Sequence, residues 1–348
     1  WAVAYGMIGA SISGVTFVSV PGMVGSTQFT YLQTCMGFIL GYVFVACFLL
    51  PIYYRMNLTS IYTYLDRRLG LSSYLTGASF FFLSKLAGAS IRLYLVCTIL
   101  QRFIFDGMGV NFITTVSLVL LLIWLYTRQA GMQAIVRTDA LQTLCLLLAA
   151  GGMAVAAAQT LGLDLRGAVQ TVCESPMCRV WEWDGTSKQA FWRQFLSGVF
   201  IVVVMTGLDQ DMMQRSLSCK NFRDSQKNIV TSSLLQTVVI FLFLVLGVLL
   251  YLFAGKFSIP SGGDELFPAV ATSGMLPAIA GIMFIIGLVS CSFAAGGSAL
   301  TALTTSFTVD ILGTAGKSEA LVRKMREWTH VSMALGMGVT ILIFNALN

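Results

Sequence analysis

Long apolar segments follow one another along almost the whole chain, separated by short polar connections. Nine of them reach spanning length, at about residues 2–22, 30–53, 74–104, 110–127, 138–161, 194–213, 229–255, 276–309 and 328–347. Each offers 18 or more residues with few charges, which is enough for an α-helix to cross a bilayer, and the period-2 alternation of a membrane β-barrel is absent. The pattern predicts an all-α polytopic membrane protein, with about nine transmembrane helices in a single domain over residues 1–348.

The first apolar segment, residues 1–21, has a polar centre that is interrupted by glycines. Six small or polar residues stand where lipid-facing leucines would be expected: Gly6, Gly9, Ser11, Ser13, Gly14 and Thr16. Irregular backbone at membrane depth is tolerated only where protein buries it or where it lines a cavity, so the segment predicts a binding site near the midplane. The alternative is a tightly packed helix, because Gly6, Ala10 and Gly14 recur every fourth residue.

Composition supports the membrane class, and the distribution of charge gives an orientation. Hydrophobic residues make up 57% of the 348, charged residues 10%, and the mean hydropathy is +0.82. The connections on one side carry thirteen cations: Arg55, Arg67, Arg68, Arg128, Arg137, Arg215, Lys220, Arg223, Lys227, Lys317, Arg323, Lys324 and Arg326. The other side carries six: Arg102, Arg166, Arg179, Lys188, Arg193 and Lys256. The positive-inside rule predicts that the thirteen face the cytoplasm and that loops 162–193 and 256–275 face out of the inner (plasma) membrane. The net charge of +6 is not a nucleic-acid signal.

Ionisable side chains inside the segments are costly in lipid and each requires an explanation. Lys85 and Arg92 are seven residues apart on one face of the third segment, where they could attract an anionic substrate group or neutralise a carboxylate. The alternative is snorkelling to the interface. Asp139 opens the fifth segment, where a carboxylate could ligate a hard cation or carry a proton. The alternative for Asp139 is a helix N-cap or first-turn acid, with Thr138 as another cap.

Polar residues also crowd the end of the sixth segment and most of the eighth. Asp209 and Asp211 lie two apart and so point to different faces, which makes a poor catalytic pair, and we expect Asp211 near Arg215 at a hydrogen-bonded helix end. The eighth segment, residues 290–310, is rich in glycine, serine and threonine, which predicts close helix contact or an ion path.

The cysteines and the histidine argue against metal chemistry. Cys173 and Cys178 share an external loop, where a disulfide and two free thiols remain equal alternatives. The other six cysteines have no metal-ligand spacing. His330 is the single histidine, near the cytoplasmic end of the last segment, and we expect it to cap a helix or lie at an interface.

These features together resemble the sodium:solute symporter family. The resemblance rests on Thr16-Phe17-x-x-x-Pro21, Leu58-Thr59-Ser60-x-Tyr62-x-Tyr64-Leu65, Gly131 to Asp139, Gln210-Asp211-x-x-Gln214-Arg215 and Phe307-Thr308-x-Asp310-Ile311. It runs from end to end of the chain and identifies no substrate. It implies the LeuT-type fold, two inverted five-helix repeats whose broken first and sixth helices meet at a central site. The nine segments would then be core helices one to nine, with helices 1–5 at about 1–161 and helices 6–9 at about 194–348. We expect further helices beyond both ends.

The resemblance also implies site residues. Substrate contacts would fall on Ser11, Ser13, Thr16, Tyr31 and Thr206, with Lys85 and Arg92 flanking Gly88, the position that matches an arginine of sialic-acid carriers. One sodium site would use carbonyls around Gly9 and Ile12 with oxygens of the eighth helix, and a second would join Asp139 to eighth-helix serines. The family commonly reads Ser-Ser-x-x-Ser where this chain has Ala294-Ala295-Gly296-Gly297-Ser298. Two hydroxyl ligands are therefore missing from the candidate cation positions.

The resemblance implies a secondary active transporter, not an enzyme. We expect it to import a small polar or anionic organic solute by alternating access, with sodium as the coupling ion and no cofactor. Its expected partners are the solute and the lipid bilayer, and nucleic acid is not among them. Because of the two alanines, other arrangements remain open: coupling through Asp139 with Ser298, an intramembrane cation such as Lys85 in place of the ion, proton coupling, or none. A transporter-like sensor domain is the alternative from another class. The substrate, the stoichiometry and the oligomeric state are left open.

Overall fold

The computed structural model describes residues 2–56, 58, 61–128, 132–219, 221–260, 262–314 and 317–347, without the side chains of 2–5, 10 and 132–137. The chain is 85% helical, and the described ranges contain no strand, so the predicted all-α class is confirmed. Three predictions concern residues outside this description: Thr59-Ser60 and Gly131 of the family motifs, and Lys220 among the loop cations. The side chain of Arg137 is also outside it.

The helices are numbered here in chain order. Those of the first half are α1 (Ala2–Ser11), α2 (Gly14–Thr27), α3 (Tyr31–Arg55), α4 (Ile61–Leu69), α5 (Leu71–Met108), α6 (Phe112–Thr127) and α7 (Met132–Leu161). Those of the second half are α8 (Leu165–Glu174), α9 (Phe191–Gly207), α10 (Gln210–Leu217), α11 (Phe222–Lys256), α12 (Leu266–Thr272), α13 (Ala278–Ile311) and α14 (Glu319–Leu347). Four of them include a π-helical turn: Val45–Leu49 in α3, Gln101–Phe105 in α5, Val203–Gly207 in α9 and Phe307–Ile311 in α13.

The helices that could cross a membrane are fewer than the sequence predicts. Among the described residues, six helices are long and apolar enough to span a bilayer: α3, α5, the 138–161 part of α7, α11, α13 and α14. A seventh span results if α9 and α10 are taken together. The first predicted segment falls below the length criterion because it divides into α1 and α2, and α6 falls below it with 16 residues. The count of nine spans therefore stays a prediction.

The predicted breaks in the first and sixth segments are both present. Helix α1 ends at Ser11, Ile12 and Ser13 are not helical, and α2 begins at Gly14. In the sixth segment, α9 ends in a π-helical turn at Gly207, after which α10 leaves it at an angle of 70°. Ser13 and Asp209 precede the second halves in extended conformation, with ψ of 169° and 122°. Each break therefore places a helix C-terminus and a helix N-terminus side by side inside the protein.

Close helix packing at glycines fixes the scaffold around these breaks. Helix α3 crosses α9 where Gly37 faces Gly198, and a Cβ atom on Gly37 would lie 2.1 Å from the carbonyl oxygen of Phe195. A Cβ atom on Gly198 would lie 2.2 Å from the carbonyl oxygen of Thr34. These distances are shorter than real Cβ contacts allow, so both positions require glycine. The small residues hold the helix of the sixth segment against α3.

The N-cap alternative for Asp139 is wrong, and the last helix is longer than the apolar segment that it contains. Helix α7 begins at Met132, so Asp139 lies two turns inside it and does not cap its N-terminus. Helix α14 begins at Glu319, nine residues before the predicted position 328, because the charged residues 319–327 extend the helix on an exposed face. His330 is therefore in the middle of α14 and is buried at 7% exposure. Its ring nitrogens lie 2.9 Å from the hydroxyls of Thr127 and Thr304, so the residue is interfacial, as expected, but at a contact between helices.

The loop over residues 162–193 is an ordered layer over one end of the bundle. It contains α8 and a short 3₁₀ turn, Pro176–Cys178. The amide of Gln33 at the start of α3 donates to the carbonyl of Gln189 at 3.0 Å, and its oxygen accepts from the backbone N–H of Glu182 at 3.2 Å. Cys173 and Cys178 are both free thiols in this structure. The loop is thus held against α3 by a buried amide.

Candidate functional site

A cavity of about 820 Å³ lies at the breaks in the first and sixth segments. All seven residues that the sequence predicts to contact substrate line it: Ser11, Ser13, Thr16, Tyr31, Lys85, Arg92 and Thr206. Gly88, Ala295 and Ser298 line it as well. The volume falls within the 300–1,000 Å³ that small-molecule sites usually have.

The first break places polar atoms at the cavity wall and brings three helices close together. The hydroxyls of Ser13 and Thr16 lie 3.4 Å apart, one turn from each other at the start of α2. A Cβ atom on Gly14 would lie 2.8 Å from a methyl group of Val96 on α5 and 3.0 Å from the hydroxyl oxygen of Ser292 on α13. Gly14 is therefore required where α2, α5 and α13 meet. The N-terminus of α2, with its unpaired N–H groups, opens at this wall.

A tyrosine that the sequence analysis did not single out joins the two breaks. The hydroxyl of Tyr42 donates to the amide oxygen of Gln236 on α11 at 3.1 Å, and the hydroxyls of Ser11 and Thr206 also hydrogen-bond to it. Tyr42 and Gln236 both line the cavity. Their positions on α3 and α11 carry no local signal, since each is a single polar residue on a long apolar helix. Only the packing of four elements identifies them.

Gly207 at the sixth break is enclosed by α3. A Cβ atom there would lie 2.4 Å from a methyl group of Leu49 and 3.0 Å from one of Val45, both in the π-helical turn of α3. The carbonyl oxygen of Gly207 accepts a hydrogen bond from the hydroxyl of Tyr53 at 3.2 Å. The break is thus supported by a hydrogen bond that a regular helix would have made internally.

Lys85 neutralises carboxylates instead of standing free in the cavity. Its ammonium lies 2.8 Å from Oδ2 of Asp209 and 3.6 Å from Oδ2 of Asp211. Asp209 also caps α10, since its Oδ1 accepts from the backbone N–H groups of Asp211 and Met212 at 2.9 and 3.1 Å. The expectation that the two aspartates point to different faces assumed a regular helix, but Asp209 is the extended N-cap of α10, and one lysine reaches both carboxylates.

Arg92 differs from Lys85, although both line the same cavity. Among the residues that the structure describes, Arg92 has no carboxylate within ion-pair distance and makes no side-chain hydrogen bond. Arg92 is half-buried at the cavity wall. An arginine in this condition is a cation with its binding capacity unused.

Among the side chains that the structure describes, Arg215 is the largest that is fully buried, which corrects its assignment to a cytoplasmic loop. Helix α10 continues the sixth segment to Leu217 and so carries Arg215 into the bundle. Its Nη1 lies 2.5 Å from Oδ2 of Asp139, its Nη2 2.9 Å from the hydroxyl of Ser298, and its Nε 3.4 Å from Oδ1 of Asp211. The expected proximity of Asp211 and Arg215 is confirmed. The contact with Asp139 lies beyond what local spacing could predict.

The buried polar cluster carries unequal charge. Two cations, Lys85 and Arg215, face three carboxylates, Asp139, Asp209 and Asp211, which leaves one negative charge. In addition, Oδ1 of Asp139 and Oε1 of Gln142 are buried and accept no hydrogen bond from any described residue. Buried acceptors in this state favour a cation nearby.

The residues that the resemblance assigns to sodium fit an ion only in part. Ala294 and Ala295 offer no side-chain oxygen, and the hydroxyl of Ser298 donates to Asp211 while it accepts from Arg215. Gly9 packs directly on α7, where a Cβ atom would lie 3.0 Å from the carbonyl oxygen of Asp139 and 2.4 Å from the hydroxyl of Thr143. The break at Ile12 interrupts the helix beside Gly9, which leaves carbonyls near the end of α1 without helical partners. The first candidate site thus has unpaired backbone carbonyls but two alanines where hydroxyls were expected, and in the second Ser298 is bound by Arg215.

Comparison with known proteins agrees with this architecture. The sodium:solute symporter family matches residues 1–347. The chain belongs to this family. The family and the structural neighbours are transporters and not enzymes. The sodium/sialic acid symporter NanT of Aliivibrio fischeri is 25% identical over 357 residues, which is 97% of this chain and 67% of that protein. The human sodium/iodide cotransporter is 26% identical over 223 residues, 62% of this chain and 33% of its own length.

A solved structure shows the same fold. A Na⁺-coupled sialic acid symporter in a substrate-bound, outward-open state, with a novel Na⁺ site, superposes with a TM-score of 0.87 at 19% identity. The superposition covers 99% of this chain and 74% of that one. The chain therefore has the fold of this symporter, and it spans about two thirds of the length of its NanT relative. Sodium is the coupling ion of these relatives.

Proposed function

We propose that this chain is the core of a secondary transporter that imports a small organic anion by cation-coupled alternating access. The observation that supports an anionic substrate is Arg92, which lines the cavity without a carboxylate partner among the described residues. A guanidinium group forms two parallel hydrogen bonds with a carboxylate, and it is the side chain best suited to recognise one. The N-terminus of α2, which opens at the same wall, adds a partial positive charge that favours an anion.

The relatives support this substrate class. Sialic acid and iodide, named for NanT and for the human cotransporter, are both anions at neutral pH. Lys85 lies seven residues before Arg92 on the same helix, but Asp209 and Asp211 occupy it. Arg92 is thus the cavity cation that remains available to substrate, while Ser11, Ser13, Thr16, Tyr31 and Thr206 supply hydroxyls for the polar part of the solute.

The charge balance of the buried cluster supports cation coupling. Two cations against three carboxylates leave one negative charge, which a coupling cation would neutralise. Sodium is the ion that the family supports. Gly9, Ile12 and Asp139 remain its candidate ligands, and Ala295 and Ser298 on α13 line the cavity. We place the protein in a cell membrane with its arginine-rich loops in the cytoplasm.

Equilibrium binding to the purified protein tests the substrate class. Calorimetry should compare sialic acid and a short monocarboxylate with an uncharged amide of the same monocarboxylate and with a neutral hexose. We expect at least one carboxylate to bind, and its amide to bind about tenfold to a hundredfold more weakly, because a charge-assisted hydrogen bond contributes ~1.5–3 kcal/mol. Equal affinities for a carboxylate and its amide would contradict the proposal that the substrate is an anion.

A further inference from the structure

One side chain holds together the residues of the second candidate cation site. The guanidinium of Arg215 lies between Asp139 on α7 and Ser298 on α13, at 2.5 and 2.9 Å. Asp211, one turn before Arg215 on α10, accepts from the same guanidinium at 3.4 Å and from the hydroxyl of Ser298. Arg215 and Asp139 are each only 1% exposed. The four side chains form one hydrogen-bonded cluster, and two of them, Asp211 and Ser298, also line the cavity.

Arg215 occupies hydrogen-bonding positions of Asp139 and Ser298 that a sodium ion would need. The hydroxyl of Ser298 has one proton, which it gives to Asp211, and it accepts from Arg215. One oxygen of Asp139 is taken by the guanidinium. Helix α13 has alanine at positions 294 and 295, so these two positions supply no further hydroxyl to replace Ser298. A sodium ion needs about five or six oxygens, and it would also be repelled by a guanidinium at contact distance.

We propose that Arg215 is the resident cation of the position between Asp139 and Ser298. Its guanidinium, which stays charged at every physiological pH, makes there the contacts with Asp139 and Ser298 that a sodium ion from solution would otherwise make. That position is therefore closed to external sodium, and any coupling cation binds elsewhere, against the carbonyls that the break at Ile12 leaves unpaired or the second oxygen of Asp139. The conclusion about ion coupling rests on the proposed function. The conclusion that Arg215 fills this position does not.

A second consequence concerns the moving parts. Arg215 belongs to α10, the second half of the broken sixth segment, whereas Asp139 and Ser298 belong to α7 and α13. A sodium ion could leave such a site and release the three helices from one another, but a tethered guanidinium leaves only when α10 itself moves. A side chain that cannot dissociate, and not an exchangeable ion, therefore links α10 to α7 and α13.

Removal of the guanidinium should open the position to ions. The test measures the thermal unfolding of the purified protein in sodium chloride and in choline chloride at equal ionic strength. We expect R215Q to be stabilised by sodium by about 3 °C more than the wild type is, because an ion that binds only the folded state raises its stability. Low millimolar guanidinium chloride should give R215Q a similar gain and leave the wild type unchanged. R215K keeps a charge at the position and should show no gain from sodium.

The double variant D139N/R215Q locates the effect. It removes one charge of each sign, so its fold should be less disturbed, and the extra stabilisation by sodium should disappear with the carboxylate. An R215Q protein that folds but gains nothing from sodium or guanidinium would overturn the proposal and reduce Arg215 to an ordinary structural ion pair.

A variant that keeps Arg215 covers the case in which R215Q does not fold. Ser298→Ala removes the remaining hydroxyl, and we expect the difference between sodium and choline to stay as in the wild type, since sodium does not occupy this position. Loss of a wild-type sodium effect in S298A would contradict the proposal. None of these readings depends on solute binding, so failure of the proposed anion transport would leave them interpretable.

Discussion

Arg215 and Asp139 lie 76 residues apart in the chain, yet their side chains meet at 2.5 Å where both are 1% exposed. The pair joins α10 to α7 at the depth of the two helix breaks. Removal of one partner from such a pair leaves an unpaired buried charge, which is far more costly than the loss of a surface ion pair. The contact therefore stabilises the fold as well as filling a candidate ion position.

Loss of Asp139 should destabilise the protein strongly. We expect Asp139→Ala to lower the free energy of unfolding by about 3–5 kcal/mol, because the guanidinium of Arg215 loses its shortest contact. Unfolding of the purified protein in detergent, followed by tryptophan fluorescence, measures the change. The matched control is Glu327→Ala, which breaks the exposed pair with Arg323, and it should change the stability by less than about 1 kcal/mol. Similar effects of the two substitutions would show that the buried pair contributes little.

Loss of Arg92 should weaken anion recognition without damage to the fold. We expect Arg92→Gln to raise the KM for an anionic solute about tenfold to a hundredfold, since one charge-assisted contact is removed. The KM of Arg92→Lys should lie between that of Arg92→Gln and that of the wild type, because lysine keeps the charge but lacks the planar guanidinium group. Arg323→Gln, on an exposed helix face, is the control for net charge. An unchanged KM in R92Q would mean that the solute does not contact this side chain.

A single methyl group should disturb the crossing of α3 and α9. We expect Gly198→Ala to destabilise the protein by about 1–3 kcal/mol, because its Cβ atom would lie 2.2 Å from a carbonyl oxygen of α3. Gly151→Ala on α7, where nothing lies within 4 Å of the added atom, should be neutral or slightly stabilising. The melting temperatures of the two variants in one detergent decide the matter, and a tolerated G198A would show that the crossing can open.

Much of this architecture follows from local sequence signals. Both helix breaks are predicted locally, by the glycines and hydroxyls around Ser13 and by the Thr206-Gly207 pair. Residues that favour irregular backbone interrupt a helix at their own position. The spacing of four between Asp211 and Arg215 likewise predicts their contact. The pairing of Arg215 with Asp139 and the bridge made by Tyr42 depend on how distant helices pack, and no local pattern encodes that. For the same reason Arg215 looked like a loop cation, although the bundle buries it.

Labelling of loop cysteines tests the predicted sidedness. Cys173 is exposed on α8, in the loop that we expect outside the cell, and a membrane-impermeant maleimide added to intact cells should modify it. Burial raises the pKa of the Cys178 thiol above its usual value, so less thiolate is present at neutral pH. Cys178 should therefore react slowly at pH 7 and faster as the pH rises. Cys219, at the opposite end, should react only after the membrane is permeabilised. Labelling of Cys219 but not of Cys173 in intact cells would contradict the predicted sidedness.

The most direct test of the account is solute uptake into proteoliposomes that contain the purified protein. The anion that binds tightest in calorimetry should be offered with an inward sodium gradient, with an inward proton gradient, and with neither. We predict accumulation above the external concentration under the sodium gradient, and only slow equilibration without a gradient. Equal uptake in all three conditions would contradict cation-coupled transport.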